Sequence, residues 1–278
     1  LADAGLEMIV RPISVLGWGW LGLRRAQRLV REGYLVKGST TRPEKLPILE
    51  RSNITPFLIQ CLPGIYGLDL NVFFQSSVLF LNITFRRNLA DPSDYQRQIE
   101  SVIFHVQSSP IEFVIFAGST SVYPDSMPDA REDASFIPDN RRAQVLYDIE
   151  QSLLCNSHFQ TTVIRLGGLY GATRKIGGFL AEKKEVQGGD RPVNLIHLDD
   201  CIEIVVRIIA QDIRGEILNA CSDGHPTRRE LYTKAALRLG LDPPQFKEES
   251  PASNKIVRNG KLKKSLQYTF QYPDPWDM

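Results

Sequence analysis

The sequence predicts a doubly wound α/β fold, a parallel sheet with helices on both faces, followed by a small C-terminal lobe. Three observations lead there. Short apolar runs alternate with helical patterns from Ile13 to Gln211. Several of the runs are apolar at successive positions, as strands covered on both faces must be. A glycine-rich turn joins the first run to the first helical pattern.

The first strand is ISVLG (13–17), and GLRRAQRLVREG after it reads as a helix. Leu23, Ala26, Leu29 and Val30 form its apolar stripe, which leaves Arg24, Arg25, Arg28 and Arg31 on a solvated face. Strands follow at YLVKGST (34–40), ITPFLIQ (54–60) and SVLFLNIT (77–84), then a helix at DYQRQIESVIFHVQ (94–107). FVIFAGS (113–119) and TTVIRLG (161–167) are strands, with the helix RRAQVLYDIEQSLL (141–154) between them and another, DDCIEIVVRIIAQ, at 199–211. After Leu218 the pattern loosens. A helix over TRRELYTKAALRLG (227–240) and a Pro- and Lys-rich tail predict a lobe rather than more sheet. The expected domains are therefore 8–165 with 195–220, and a lobe of 166–194 and 221–278.

Composition narrows the function classes. A net charge of +1 and a pI near 7.8 give no reason to expect a nucleic-acid surface or an anionic membrane as partner. Cys61, Cys155, Cys201 and Cys221 are far apart with no CxxC pair, the pattern of buried, inert thiols in a reducing cytoplasm. His105, His158, His197 and His225 have no metal-ligand spacing, so no metal is expected. No apolar run reaches the length of a membrane span, and LADAGLEMIVRPIS lacks the secretory pattern, with Met8 the expected start.

The turn after the first strand, SVLGWGWLG, places Gly17, Gly19 and Gly22 in a GxGxxG pattern. In the order strand, glycines, helix, this is the dinucleotide-binding fingerprint of a Rossmann sheet. The glycines allow a tight turn, a pyrophosphate against bare backbone, and close packing of helix on strand. The helix N-terminus offers unpaired N–H groups to the phosphates. Trp18, Trp20 and Leu21 lie in the same loop and belong to the expected cofactor-binding set.

The second strand decides which dinucleotide. An NAD site places an acid at its end for the ribose hydroxyls. Here Ser39, Thr40, Thr41, Arg42 and Lys45 stand there, and the first acid, Glu44, comes past the turn. Hydroxyls with a guanidinium suit a 2′-phosphate. NADP is favoured over NAD; the alternative is that Arg42 is an incidental surface residue. Asn82, Ile83 and Thr84, Gly118, and Gly167 with Gly168 lie at the ends of later strands and complete the cofactor-binding set. A serine-hydrolase reading of the GSTS stretch fails, because GxSxG is absent.

Taken together, FAGSTSVYPD (116–125), VIRLGGLYGATR (163–174), NLIHLDDCIEIV (194–205), GEILNACSDGHPTRRELY (215–232) and RNGKLKKSLQYTFQYPDP (258–275) resemble the extended short-chain dehydrogenase/reductases of the nucleoside-diphosphate-sugar epimerase/dehydratase superfamily. The likeness spans nearly the whole chain and is strongest to an atypical, YeeZ-like branch. The usual extended enzymes carry TGxxGxxG, whereas Leu16 stands at the first glycine position here. The resemblance implies that Ser119, three residues before Val122–Tyr123, hydrogen-bonds the reacting oxygen. It also implies that Asp199 or Asp200 caps the next helix, and it leaves Arg165 a structural role. Arg174 and Arg191 are candidates to meet an anionic substrate.

The family's catalytic Tyr and Lys share a helix face one turn apart, with a glutamate four residues on. Matching IEQSLL to that helix end places the Tyr position at Arg142 and the Lys position at Leu146. Periodicity puts Arg142, Val145, Leu146, Ile149 and Leu153 on one face and turns Tyr147 the other way, with Ala143 and Leu154. Arginine is no general acid near neutral pH. Three readings follow: an NADP-dependent redox or epimerase enzyme of atypical mechanism acting on a small, nucleotide-sugar-like molecule; a non-catalytic NADP-binding sensor or regulator; and a reductase in which Tyr147 is the acid. A homodimer is compatible with each.

Overall fold

The computed structural model describes residues 11–17, 22–61, 63–85, 91–171, 173–248 and 254–276, with the backbone alone for 22–25. The chain forms two compact units. Unit 1 comprises the residues up to Phe116 and Asn156–Thr161; unit 2 comprises Ala117–Cys155 and Thr162 onward.

Unit 1 is built from β1 (Ile13–Leu16), α1 (Gly22–Arg31), β2 (Val36–Thr40), α2 (Leu46–Glu50), β3 (Thr55–Cys61), β4 (Ile65–Gly67), α3 (Leu70–Phe74), β5 (Val78–Leu81), α4 (Ser93–Gln107) and the start of β6 (Phe113–Ser119). The strands run in the order β6-β5-β1-β2-β3-β4, parallel except for β4, which closes the edge against β3. The chain winds one way from β1 through β2 to β3, then returns to β5 and β6 on the other side of β1. That reversal leaves a crevice at the carboxyl ends of β1 and β5, where open α/β sheets bind ligands.

Apolar patterning explains these strands. All four residues of β1 and of β5 are buried, whereas β3 alternates, because it lies next to the edge. One polar residue sits inside β1: Ser14 donates to the carbonyl of Phe73 (2.5 Å) and pairs with the hydroxyl of Ser76 (2.7 Å). Helix α1 buries Ala26 and Leu29, and Arg28 pairs with Glu32 one turn on.

Unit 2 contains α5 (Arg141–Leu154), β7 (Gln160–Leu166, its first residues in unit 1), β8 (Gly168–Tyr170), β9 (Leu195–His197), α6 (Leu198–Ala210), β10 (Ile217–Ala220), α7 (Arg228–Arg238) and α8 (Gly260–Leu266). β8 and β9 form a separate parallel pair. The strand β10 corrects the expected set of strands, which ended at TTVIRLG (161–167): inside the 195–220 segment assigned to the sheet domain it pairs in parallel with β7, Leu218 opposite Ile164 and Ala220 opposite Leu166. Its run, ILNA, is interrupted by Asn219, which hid the strand from hydropathy. The Asn219 amide is fully buried and donates to the carbonyls of Ala130 (3.3 Å) and Arg258 (3.0 Å).

The start of α6 corrects a second expectation. The residue capping it is His197, whose Nδ1 accepts the Asp199 N–H (3.2 Å). Asp200 is instead fully buried and holds the C-terminal segment, accepting from the Tyr268 hydroxyl (2.6 Å) and the N–H groups of Gln271 (2.7 Å) and Tyr272 (3.1 Å). Of the four thiols, Cys201 and Cys221 are buried, Cys61 is half-buried with burial pushing its thiol up to about 11, and Cys155 is exposed, against the expectation for all four. Among the described residues no helix is long and apolar enough to cross a membrane.

Replacing Asp200 with Ala leaves the buried Tyr268 hydroxyl and two partly buried backbone N–H groups unanswered, a loss of about 2–4 kcal/mol. The thermal midpoint of Asp200→Ala should fall by several degrees, with Asp200→Asn recovering part of it. A midpoint equal to that of wild type for the alanine variant would show that the C-terminal segment is held by something else.

Candidate functional site

Unit 1 brings three strand ends together around Gly17. Its backbone has φ +103°, and a Cβ there would lie 2.3 Å from the carbonyl oxygen of Asn82. The Gly17 N–H donates to Ser39 Oγ at the end of β2 (3.0 Å), and the Asn82 side-chain amide donates to the Gly17 carbonyl (3.1 Å). Gly17 is thereby fixed to β2 on one side and to the β5 exit on the other. This cradle, which a side chain would fill, fits the opening of a pyrophosphate-binding loop. Gly22 opens α1. Trp18, Gly19, Trp20 and Leu21 lie outside the described residues.

At the tip of β2, Ser39 and Thr40 are buried, and Thr41 and Arg42 are exposed. Thr40 Oγ1 accepts the Arg42 N–H (3.2 Å), a turn that holds the arginine backbone against the strand end. Lys45 is half-buried one turn on, in the short 3-10 segment Pro43–Lys45. The acid of that segment, Glu44, is exposed. Past β5, Ile83 is half-buried and its carbonyl accepts the Tyr95 hydroxyl (2.8 Å), whereas Thr84 is exposed. Gly17, Thr40, Arg42, Asn82 and Ile83 therefore lie together at one edge of unit 1.

The other candidates lie in unit 2. Ser119 ends β6 and caps the 3-10 turn Thr120–Val122: its Oγ accepts the Ser121 N–H (3.1 Å) and donates to Ser121 Oγ (3.0 Å). Gly118 is buried against Glu150 and Val163. The Gly167 N–H donates to Ala220 (2.9 Å), and that of Gly168 to Asn194 (2.8 Å).

Behind Ser119 stands a buried polar network that sequence reading missed in part. Arg165, in β7, donates through Nε and Nη2 to Glu150 Oε2 (3.0 and 2.6 Å) and through Nη1 to the Tyr123 hydroxyl (2.7 Å). The Tyr123 hydroxyl donates in turn to Asn219 Oδ1 (2.9 Å). Both charged side chains are almost completely buried, so each depends on the other. Burial pushes the Tyr123 hydroxyl above the ordinary tyrosine range, against the pull of Arg165 and Asn219. Tyr123 is thus poorly placed to release a proton. The sequence signal for this network was an arginine inside the otherwise apolar run TTVIRLG; Glu150, among Asp148, Gln151 and Ser152, does not stand out.

Helix α5 covers the residues expected of it, Arg141–Leu154. Val145, Leu146, Ile149 and Leu153 are buried as the periodicity requires. Ala143 is buried too, against expectation: with Leu146, Glu150 and Leu153 it follows the i, i+3, i+7, i+10 spacing of one face, which is wider than the period suggested. The Phe136 ring packs edge-on to Tyr147 (5.4 Å) and against Tyr123 (4.9 Å). Tyr147 and Arg142 are both half-buried. Arg174 lies over the Phe179 ring (5.5 Å), and Arg191 pairs with Asp125 (3.4 Å). Among the described residues no group of three or more His, Cys, Asp and Glu side chains is placed to hold a metal.

The chain is 29% identical to Protein YeeZ of Escherichia coli K12 over 96% of its own length and 98% of YeeZ. Among solved structures it resembles a short-chain dehydrogenase/reductase superfamily protein of Agrobacterium tumefaciens with bound NAD (TM-score 0.75, 14% identity, 94% and 93% of the two chains). It resembles equally the UDP-N-acetylglucosamine 4-epimerase of Bacillus cereus (TM-score 0.75, 16% identity, 94% and 92%). No protein-family model matches.

The network yields a stability test. Glu150→Ala strands the Arg165 charge in the interior, which costs about 3–5 kcal/mol. A double variant, Glu150→Leu with Arg165→Met, should recover most of that loss in a denaturant titration, since an apolar pair of similar volume replaces a desolvated ion pair. A single variant as stable as wild type contradicts the geometry.

Proposed function

As a YeeZ-like chain whose structural neighbours are proteins of the short-chain dehydrogenase/reductase and epimerase/dehydratase superfamily, this protein, we propose, binds NADP in preference to NAD and works on a small, nucleotide-sugar-like molecule without the usual Tyr-Lys pair. The observation that carries the reading is the tip of β2. Thr40 ties down the backbone of an exposed Arg42 where an NAD site would present a carboxylate. Arg42, Thr41 and Lys45 would hold the 2′-phosphate, the guanidinium through charge-assisted bonds. Gly17, Gly19 and Gly22, with the N-terminus of α1, would hold the pyrophosphate. When bound, the nicotinamide supplies hydride transfer. Trp18, Trp20, Leu21, Asn82, Ile83, Thr84, Gly118, Gly167 and Gly168 complete the proposed cofactor set.

Ser119 is the proposed catalytic hydroxyl. Its oxygen already accepts one N–H, from Ser121, so its own hydrogen is the group left to give, and a substrate oxygen would take it in place of Ser121 Oγ. The substrate is assigned to the lobe 166–194 and 221–278, and the compartment to the cytoplasm, where widely spaced cysteines without a CxxC pair stay reduced. A second reading, an NADP-binding sensor without turnover, is favoured by Leu146: a buried leucine stands at the position matched to the family's lysine.

Two titrations test this. Wild type should bind NADPH more tightly than NADH, and Arg42→Ala should lose about 1–3 kcal/mol of that preference. Equal affinity of wild type for both nucleotides contradicts the assignment. Tyr147→Phe should bind NADPH as wild type does and keep any turnover found; a fall of about two to four orders of magnitude in rate would make Tyr147 the acid after all.

A further inference from the structure

We propose that unit 2 carries a binding site for a small organic anion with a flat, apolar body, in the cavity lined by Gly171, by Lys175, Ile176 and Gly177, and by the C-terminal half of α7. The site is independent of the dinucleotide reading, since every residue lining it belongs to unit 2. The cavity holds about 550 Å³, within the usual range for small-molecule sites.

Two cations from different elements line it, Lys175 after β8 and Arg238 from the last turn of α7, and no carboxylate lines the cavity among the described residues. Asp199 stands behind one lining residue: its Oδ2 lies 3.7 Å from Nδ1 of His197, on the side of the imidazole that caps α6. The turn is built to bring Lys175 in. Gly171 and Arg174 exchange backbone hydrogen bonds (3.2 and 2.8 Å), and Gly171 has φ +112°. A Cβ on Gly171 would lie 2.3 Å from Nε2 of His197, so only a glycine lets the chain pass over that ring. Arg238 is steadied by a bond from Nη1 to the Trp276 carbonyl (2.9 Å), which reduces the ordering needed to hold an anion.

The remaining walls suit a flat body. The His197 and Tyr272 rings lie 3.6 Å apart between centroids, tilted by 34°, and Tyr170 meets His197 edge-on (5.1 Å). Ile176 and Ala235 supply buried apolar surface. His197 adds a polar handle. Its Nδ1 accepts from Asp199 N–H, so the neutral imidazole carries its hydrogen on Nε2, facing the Gly171 turn. An arginine fork and a lysine point charge over aromatic and aliphatic walls select a carboxylate or phosphate attached to a ring.

The test is calorimetry with benzoate and phenyl phosphate as ring-bearing anions, benzyl alcohol as the neutral ring, and inorganic phosphate as the bare anion. Wild type should bind one or both ring-bearing anions, and the tighter one identifies the head group. The exposed pair Lys175→Ala and Arg238→Ala together should weaken that binding at least about tenfold while leaving the thermal midpoint near wild type. The proposal fails if neither ring-bearing anion binds wild type up to about 10 mM. It fails equally if the double variant binds as well as wild type, or if benzyl alcohol or inorganic phosphate binds as tightly as the ring-bearing anions.

Discussion

Gly17 has no room for a methyl group. The strand end it terminates lies so close to the β5 exit that a Cβ would overlap the Asn82 carbonyl, and its φ lies where only glycine is unstrained. The residue is held from both sides, by Ser39 Oγ and by the Asn82 amide. Much of unit 1's candidate site follows from this contact. It sets where β1 releases the chain and ties that point to the end of β2. One residue past Ser39, Thr40 fixes the turn that carries Arg42. An acid at this tip would face ribose hydroxyls, whereas the guanidinium faces solvent with capacity for a dianion.

Unit 2 is organised around a different constraint, a desolvated charge. Arg165 and Glu150 sit in β7 and α5, and neither has water to turn to. Their pairing fixes α5 against β7, and the spare Nη1 of Arg165 carries the order onward to Tyr123 and Asn219. Asn219 in turn holds the carbonyls of Ala130 and Arg258, so one buried charge pair reaches four segments of the unit. Such a pair contributes little net stability compared with an apolar core, but it penalises every alternative arrangement that would separate the charges.

The legible parts of the sequence were those set by local rules. Helix α5 spans the residues its period marks, β6 matches the apolar run FVIFAGS, and Gly17 follows the first strand while Gly22 opens the first helix. The parts that escaped depend on distant partners. The strand ILNA reads as broken because Asn219 is polar, and its amide is satisfied only by residues near 130 and 258. Asp200 reads as a helix cap, yet its acceptors are used by residues about seventy positions on, Tyr268 and Gln271. Glu150 is the glutamate that the resemblance places four residues past Leu146; only the structure shows that its partner is Arg165. Ala143 was turned outward because the buried face was drawn too narrow: it extends to the side of Glu150, whose burial depends on the distant Arg165.

The central claim is that the edge formed by Gly17, the β2 tip and Asn82 holds a 2′-phosphorylated dinucleotide. Amide hydrogen exchange with NADPH, with NADH and without nucleotide tests it most directly. The account predicts that NADPH slows exchange in segments 36–45 and 80–85 and that NADH protects 80–85 but leaves 40–45 nearly as in the free protein. Equal protection of 40–45 by both nucleotides, or none in either segment, would contradict it.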